Sequence, residues 1–263
     1  MSLSRPALVL LAFLTITFSA TAQQPPPAST PQRDPQAITV LTQSIAAMGG
    51  SVPSDSVATG TVTLVAGSRT ETGTIRILTR GSDQTSEQIQ SQYTNRSVNY
   101  SRGEASEIEG TSTRVLQKEL VVTSQCPDFA LPVFAGALNN TQTALQYMAL
   151  ETISGVPAHH IRFWQTFPAS QPRLAHLAEF STKDVWIDAV TSLPRRLSSE
   201  RREARGAAPR IPLEINYSDY RNLSGALYPF RISKSLNGTP WVTITITGVT
   251  FNTGLRDADF PVQ

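Results

Sequence analysis

Apolar residues recur along this chain first at helical spacing and then at alternate positions, and that change of period organises the rest. Ile38, Leu41, Ile45 and Met48 step by threes and fours, which puts them in one stripe along a helix. Asp34 suits the N-cap, Pro35 suits the first helical position, and Gly49-Gly50 ends the element. Such a stripe needs an apolar surface to lie on. From Val57 the period is two. Val57 to Val65, interrupted by Gly60, and Glu71 to Thr79, with Ile75 and Ile77 opposite Arg76, predict two strands. Gln84 to Tyr93 and Ser97 to Arg102 extend the series as polar strands. Pro127 to Leu138 is compact and apolar, with Phe129, Leu131, Phe134 and Leu138. Pro132 interrupts it, which predicts one or two short helical turns.

The later pattern is the clearest. Leu145 to Ile153 and Ala158 to Phe163 read as strands across a turn at Gly155 and Pro157. Val185-Trp186-Ile187-Asp188 alternates, and Leu193-Pro194 opens a strand that runs into a charged loop. Leu213, Ile215 and Tyr217 alternate with Glu214, Asn216 and Ser218. Phe230 and Ile232 share one side of the next strand, with Arg231 and Lys234 among its polar positions. Asn237-Gly238 tolerates positive φ at both residues and marks a tight hairpin, after which Val242, Ile244 and Ile246 alternate with Thr243 and Thr245. Phe251 and Phe260 close the chain. Short strands and close turns predict a mostly β (α+β) antiparallel meander whose apolar face has to be covered. The front helix and the Pro127 to Leu138 segment favour a curved, incompletely closed sheet roofed by helices over a closed barrel.

Composition narrows the setting. At 40% hydrophobic and 16% charged residues, much of the polar surface falls to Ser, Thr, Asn and Gln, which suits strands and turns. A formal net charge of +2 is too small and too scattered for nucleic acid. The single cysteine, Cys126, excludes an internal disulfide and reads as a small buried hydrophobe. Met1 to Ala22 has the parts of a secretory signal peptide. Arg5 is the basic n-region, Ala7 to Phe18 the apolar core, and Ala20-Thr21-Ala22 the small-residue cleavage site. The expected layout is signal peptide 1–22 cut after Ala22, disordered Pro-rich linker 23–34, and one β domain over 35–263. The apolar run is too short to span a bilayer, and no cysteine stands at the cleavage site to carry lipid. A periplasmic or secreted, untethered protein without a membrane span is expected.

The succession Val185-Trp186-Ile187-Asp188, Leu193-Pro194, Tyr217-Ser218-Asp219-Tyr220, Gly225, Tyr228-Pro229-Phe230-Arg231-Ile232, Asn252 and Asp259-Phe260 resembles the outer-membrane lipoprotein carrier (LolA/LolB-like) superfamily. The helix, Gly-Gly and strand at the front fit as well. The likeness is best from Asp184 to Phe260, and Arg80 to Pro172 matches only in general character. The resemblance implies a half-barrel of about eleven strands with short helices across its concave face. It also implies a space between sheet and helices for the acyl chains of a lipid or lipoprotein, and an uncharacterised periplasmic relative as the reading. The polar strands from Gln84 to Arg102 offer less apolar lining than a lipoprotein carrier would present.

Candidate lining residues are Ile75, Ile77, Phe129, Phe134, Val185, Ile187, Ile215, Tyr217, Phe230, Val242, Ile244 and Ile246, and about half of them are expected to be plain core. Catalysis finds no support: there is no HExxH, CxxC or GxSxG arrangement and no phosphate loop. His159 and His160 fall on opposite faces of a strand and His176 stands apart, so no metal or cofactor is expected. Asp184, Asp188 and Asp219 read as turn and strand-edge residues. Arg195, Arg196, Arg201, Arg202, Arg205 and Arg210, interrupted by Glu200 and Glu203, form the one charge cluster. It reads as a solvated hairpin tip and a charge-protected edge strand, with a rim for anionic headgroups as the other reading. The function these features imply is binding or carriage of an acyl-chain ligand or lipoprotein. A non-catalytic envelope interaction protein with a protein partner is the alternative.

Overall fold

The computed structural model describes residues 31–117, 121–122, 128–168, 170–175, 177–201 and 210–262. The leader, Cys126, His176, Arg202, Glu203, Arg205 and the Arg201 side chain lie outside the described residues. Helix α1 (Pro35–Ala47) is followed by β1 (Asp55–Ala66), β2 (Arg69–Arg80), β3 (Gln84–Ser91), β4 (Asn95–Ser101), β5 (Glu104–Glu109) and β6 (Ser112–Val115). Helix α2 (Ala130–Asn139) leads into β7 (Thr143–Ile153) and β8 (Val156–Gln165). A one-turn helix α3 (Leu177–Phe180) precedes β9 (Lys183–Asp188), β10 (Pro194–Arg201), β11 (Ile211–Leu223), β12 (Ala226–Leu236) and β13 (Thr239–Phe251).

All thirteen strands belong to one open sheet, in the order β6-β5-β4-β3-β2-β1-β13-β12-β11-β10-β9-β8-β7. Every neighbouring pair is antiparallel. Two meanders therefore run outward from the middle, joined where the first strand meets the last. Ser56 to Leu64 of β1 faces Phe251 to Val242 of β13, with a bulge at Thr59/Gly60. A Cβ on Gly60 would lie 2.2 Å from the Thr245 carbonyl oxygen, so this seam requires glycine there. The sheet is mostly β, antiparallel and curved as the sequence pattern predicts, and among the described residues it has thirteen strands where about eleven are expected. The short strands β5 and β6 supply the difference. Their Glu, Ser and Thr content carries no apolar alternation to announce them.

The helices form where the chain's local chemistry directs. The Asp34 carboxylate accepts from Gln36 N at 2.8 Å, and Gly49 and Gly50 leave the helix with φ of 119° and 81°. α1 buries Ala37, Val40 and Leu41, and its C-cap Met48 is buried with them, with Ile38 and Ile45 packed at the margin. It crosses the concave face from β7, where Asp34 N bonds Leu145 O, to β12, where Leu227 N bonds Met48 O. α2 is a regular helix of 10 residues, longer than the expected one or two turns. Pro132 is its third residue, where the N–H has no intrahelical partner to lose, so the proline does not interrupt it. Gln32 to Asp34, expected in the linker, instead pair with β7. There the Arg33 guanidinium donates to Leu138 O at 2.8 Å and to Asn140 O and Thr143 O at 2.9 Å, capping the end of α2.

Candidate functional site: the inner face and its buried charges

Cross-strand registers lay out the concave surface row by row. One row runs Val62, Ile244, Ile232, Tyr217 from β1 through β13 and β12 to β11. The next runs Leu64, Val242, Lys234, Ile215, Leu197, Val185, Ile161, Tyr147 from β1 to β7. Ile75 and Ile77 carry the apolar surface onto β2, opposite Gly60 and Ala58. Ile187 extends it on β9, Phe230 on β12 and Ile246 on β13. Phe129 and Phe134 come down from the α2 side, with Phe129 tilted against Tyr228 at 5.1 Å between ring centres. All twelve candidate lining residues thus meet in one buried cluster with α1 and α2, none more than 5% exposed. This is apolar surface already covered by its helices.

The second row contains one charge. Lys234 lies among Val242, Ile215 and Ile232, only 8% exposed, on the inner and not the polar side of β12. Period-two counting could have placed it there, since residues 230, 232 and 234 share a face. Its Nζ is 2.6 Å from Glu87 Oε2 of β3 and 2.5 Å from Asp128 Oδ1, just ahead of α2. Glu87 faces inward opposite Ile77, again by simple alternation. β3 and β12 are four strand steps apart, roughly 19 Å along the sheet. Side chains that meet across that span show how tightly the sheet is curled. Burial opposes ionisation of all three groups. For Asp128, burial and the neighbouring Glu87 charge prevail and push its carboxyl up to about 7. For Glu87, burial is the largest influence, but the Lys234 charge, hydrogen bonds from Asp128 and Lys234 and the Arg96 charge together outweigh it and bring the carboxyl down to about 2. For Lys234, the two acids outweigh burial and raise its ammonium above the usual range. One ammonium thus serves two carboxyls, and the more deeply buried carboxyl is the harder of the two to ionise.

The outer face carries a separate polar network. His160 bonds Glu151 through Nδ1 and Asp184 through Nε2, each at 2.7 Å, and stacks on Trp186 with ring centres 4.4 Å apart. Asp184 also holds the Arg162 guanidinium. His159, on the opposite face as expected, bonds Tyr147 Oη. With both His160 nitrogens occupied, the ring is locked in place. Among the described residues no three His, Cys, Asp or Glu are grouped to hold a metal. Asp188 accepts from Val190 N and Thr191 N in a turn, as expected, and also pairs with Arg195. Asp219 has φ of 54° and pairs with Arg221.

The arginine cluster is differently placed from the expectation. β10 lies between β9 and β11, so it is not an edge strand. Arg196 reaches Glu214 and Asn216, and Arg210 reaches Glu200 and Glu179. The described arginines of this cluster are matched by carboxylates. A polar groove of about 560 Å³ opens elsewhere on the outer face, over β1 to β5, lined among others by Thr59, Arg76, Gln88, Ser97 and Thr247. No described helix is long and apolar enough to cross a membrane.

The same open antiparallel sheet with covering helices is found in solved structures of low sequence identity. A domain assigned to outer-membrane lipoprotein sorting, from Vibrio parahaemolyticus, superposes with a TM-score of 0.60 at 11% identity, covering 86% of this chain and 96% of that one. A DUF1329 family protein from Desulfovibrio piger gives 0.57 at 12% identity over 86% and 96%. A LolA superfamily protein from Nitrosomonas europaea gives 0.56 at 11% identity over 86% and 97%. No family model matches the sequence, and the search of curated proteins finds no significant match. The likeness is therefore one of fold.

Proposed function

We propose that this chain is a periplasmic or secreted binding or carrier protein for an acyl-chain ligand, as free lipid or as the lipid part of a lipoprotein. The observation that carries the reading is the apolar inner face, which is covered by α1 and α2 rather than by a second sheet. A ligand chain enters by taking the place of the apolar side of α2, so that Phe129 and Phe134 become lining together with the sheet residues facing them. Burying an acyl chain at ~0.8 kcal/mol per methylene gives on the order of 10 kcal/mol, and association and ordering costs leave roughly micromolar binding or better. The signal peptide expected over residues 1–22 supports the compartment, and the fold supports the ligand class. We expect saturable, displaceable binding of a fluorescent fatty acid, and lipid released on extraction of protein purified from the periplasm. Lipid-free protein that also fails to bind the probe overturns the proposal.

The complete cover over the twelve inner residues favours a second reading, a non-catalytic envelope interaction protein that uses the filled fold as a platform. It predicts lipid-free protein together with one specific envelope partner in crosslinking.

A further inference from the structure

The Glu87, Lys234 and Asp128 cluster has a feature that ion pairing does not require. Lys234 Nζ is 2.5 Å from Asp128 Oδ1, yet that oxygen accepts no hydrogen bond. The amine thus lies within reach of the Asp128 carboxyl without hydrogen-bond geometry. Glu87 Oε2 is 2.6 Å from the same nitrogen; the Lys234 and Asp128 side chains are buried, while Glu87 keeps a partly exposed side at the margin of the cluster. We propose that Lys234 and Asp128 become joined by an intramolecular amide bond, formed by the folded protein itself with Glu87 as the proton carrier.

Amide formation fails in water because acid and amine ionise against each other and rarely meet. Here the second obstacle is removed by the fold. The reacting groups are held together, which replaces an encounter by a fixed approach. The raised Lys234 ammonium and the lowered Glu87 carboxyl make the first proton transfer the costly step, so the reaction is slow and proceeds only because the groups stay in place. The elevated Asp128 carboxyl supplies the protonated partner at neutral pH. Glu87 takes one proton from the Lys234 ammonium. The Nζ lone pair adds to Asp128 Cγ, breaking the carbonyl π bond. Glu87 then returns that proton to the departing hydroxyl as Nζ gives up a second proton to Glu87. One ammonium, one carboxylic acid and one carboxylate become one amide, one water and one protonated Glu87, with no oxidant or cofactor. The product ties the entrance to α2 covalently to β12, in a chain whose single cysteine can make no internal disulfide.

The test is the intact mass of full-length protein purified in its folded form. The wild type is expected about 18 Da lighter than the mass set by its own N-terminus, the loss of one water. Proteolysis is expected to release a branched peptide joining the segments that hold Asp128 and Lys234. Lys234→Ala, Asp128→Ala and the isosteric Glu87→Gln are expected at full mass. Wild type that is folded by circular dichroism but keeps its full mass after days near neutral pH overturns the proposal, whether or not the variants fold. A Glu87→Gln protein that crosslinks as fast as wild type overturns the proton-carrier role. Neither reading depends on ligand binding.

Discussion

Asp55 binds the chain's last segment to its first strand. Its Oδ1 accepts from Thr253 N at 2.5 Å and Thr253 Oγ1 at 2.8 Å, and its Oδ2 from Gly254 N and Leu255 N. Burial opposes ionisation, but these donors outweigh it and hold the carboxyl below the ordinary range. A lowered folded-state value means that this stabilisation is present above about pH 4 and is lost as pH falls further. Asp55→Ala is expected to cost about 2–3 kcal/mol at neutral pH in urea unfolding, and Asp55→Asn to flatten the acid limb below about pH 4. A variant with the wild-type acid limb would remove this role. At this scale the sequence is readable where one residue decides a local shape: the Asp34 cap, Gly49-Gly50, and Asn237-Gly238, whose φ values are 48° and 74°. It is unreadable where distant residues decide. Glu87, Asp128 and Lys234 each look like an ordinary polar residue, and only the curl of the sheet brings them together.

Among the elements, α2 is held at both ends by charged side chains. Asp128 fixes its start against Lys234, and Arg33 fixes its finish through the carbonyls of Leu138, Asn140 and Thr143. The charge-assisted bonds of Arg33 contribute about 1.5–3 kcal/mol by satisfying carbonyls that α2 leaves unpaired. Arg33→Ala is therefore expected to speed amide hydrogen exchange in α2 selectively, leaving β11 to β13 protected. Equal acceleration throughout would show that Arg33 supports the whole fold and not the roof. The Gln- and Pro-rich surroundings of Arg33 read as spacer, so this clamp had no compositional signal. The polar strands had a hidden cover as well. On the outer face Ser86 Oγ donates to Asn99, Asn99 to Ser106, and Ser106 Oγ to Pro261 O, beneath the tail that also buries Phe260. Strands that look too hydrophilic for a core are buried here by hydrogen bonds made across neighbours, which a one-dimensional hydropathy pattern does not register.

For the molecule as a whole, the seam between β1 and β13 sets the architecture. The alternation of apolar residues makes the meander and its antiparallel sense legible, and the resemblance near the C-terminus makes the fold legible. The pairing of first strand with last spans the entire domain, beyond any local pattern. Gly60→Ala puts a methyl carbon into the Thr245 carbonyl at the centre of that seam. It is expected to cost at least about 2 kcal/mol in denaturant unfolding, more than an alanine at an exposed strand position. A wild-type midpoint would mean that the bulge relaxes freely.

The same seam orders events during synthesis. The chain is delivered from its N-terminus, so β1 through β6 emerge as a ribbon whose inner margin has no partner until residues 239–251 arrive. The middle of the sheet, not its rim, is sealed last. A nascent chain of this design carries an open adhesive strand margin until the final hairpin is delivered.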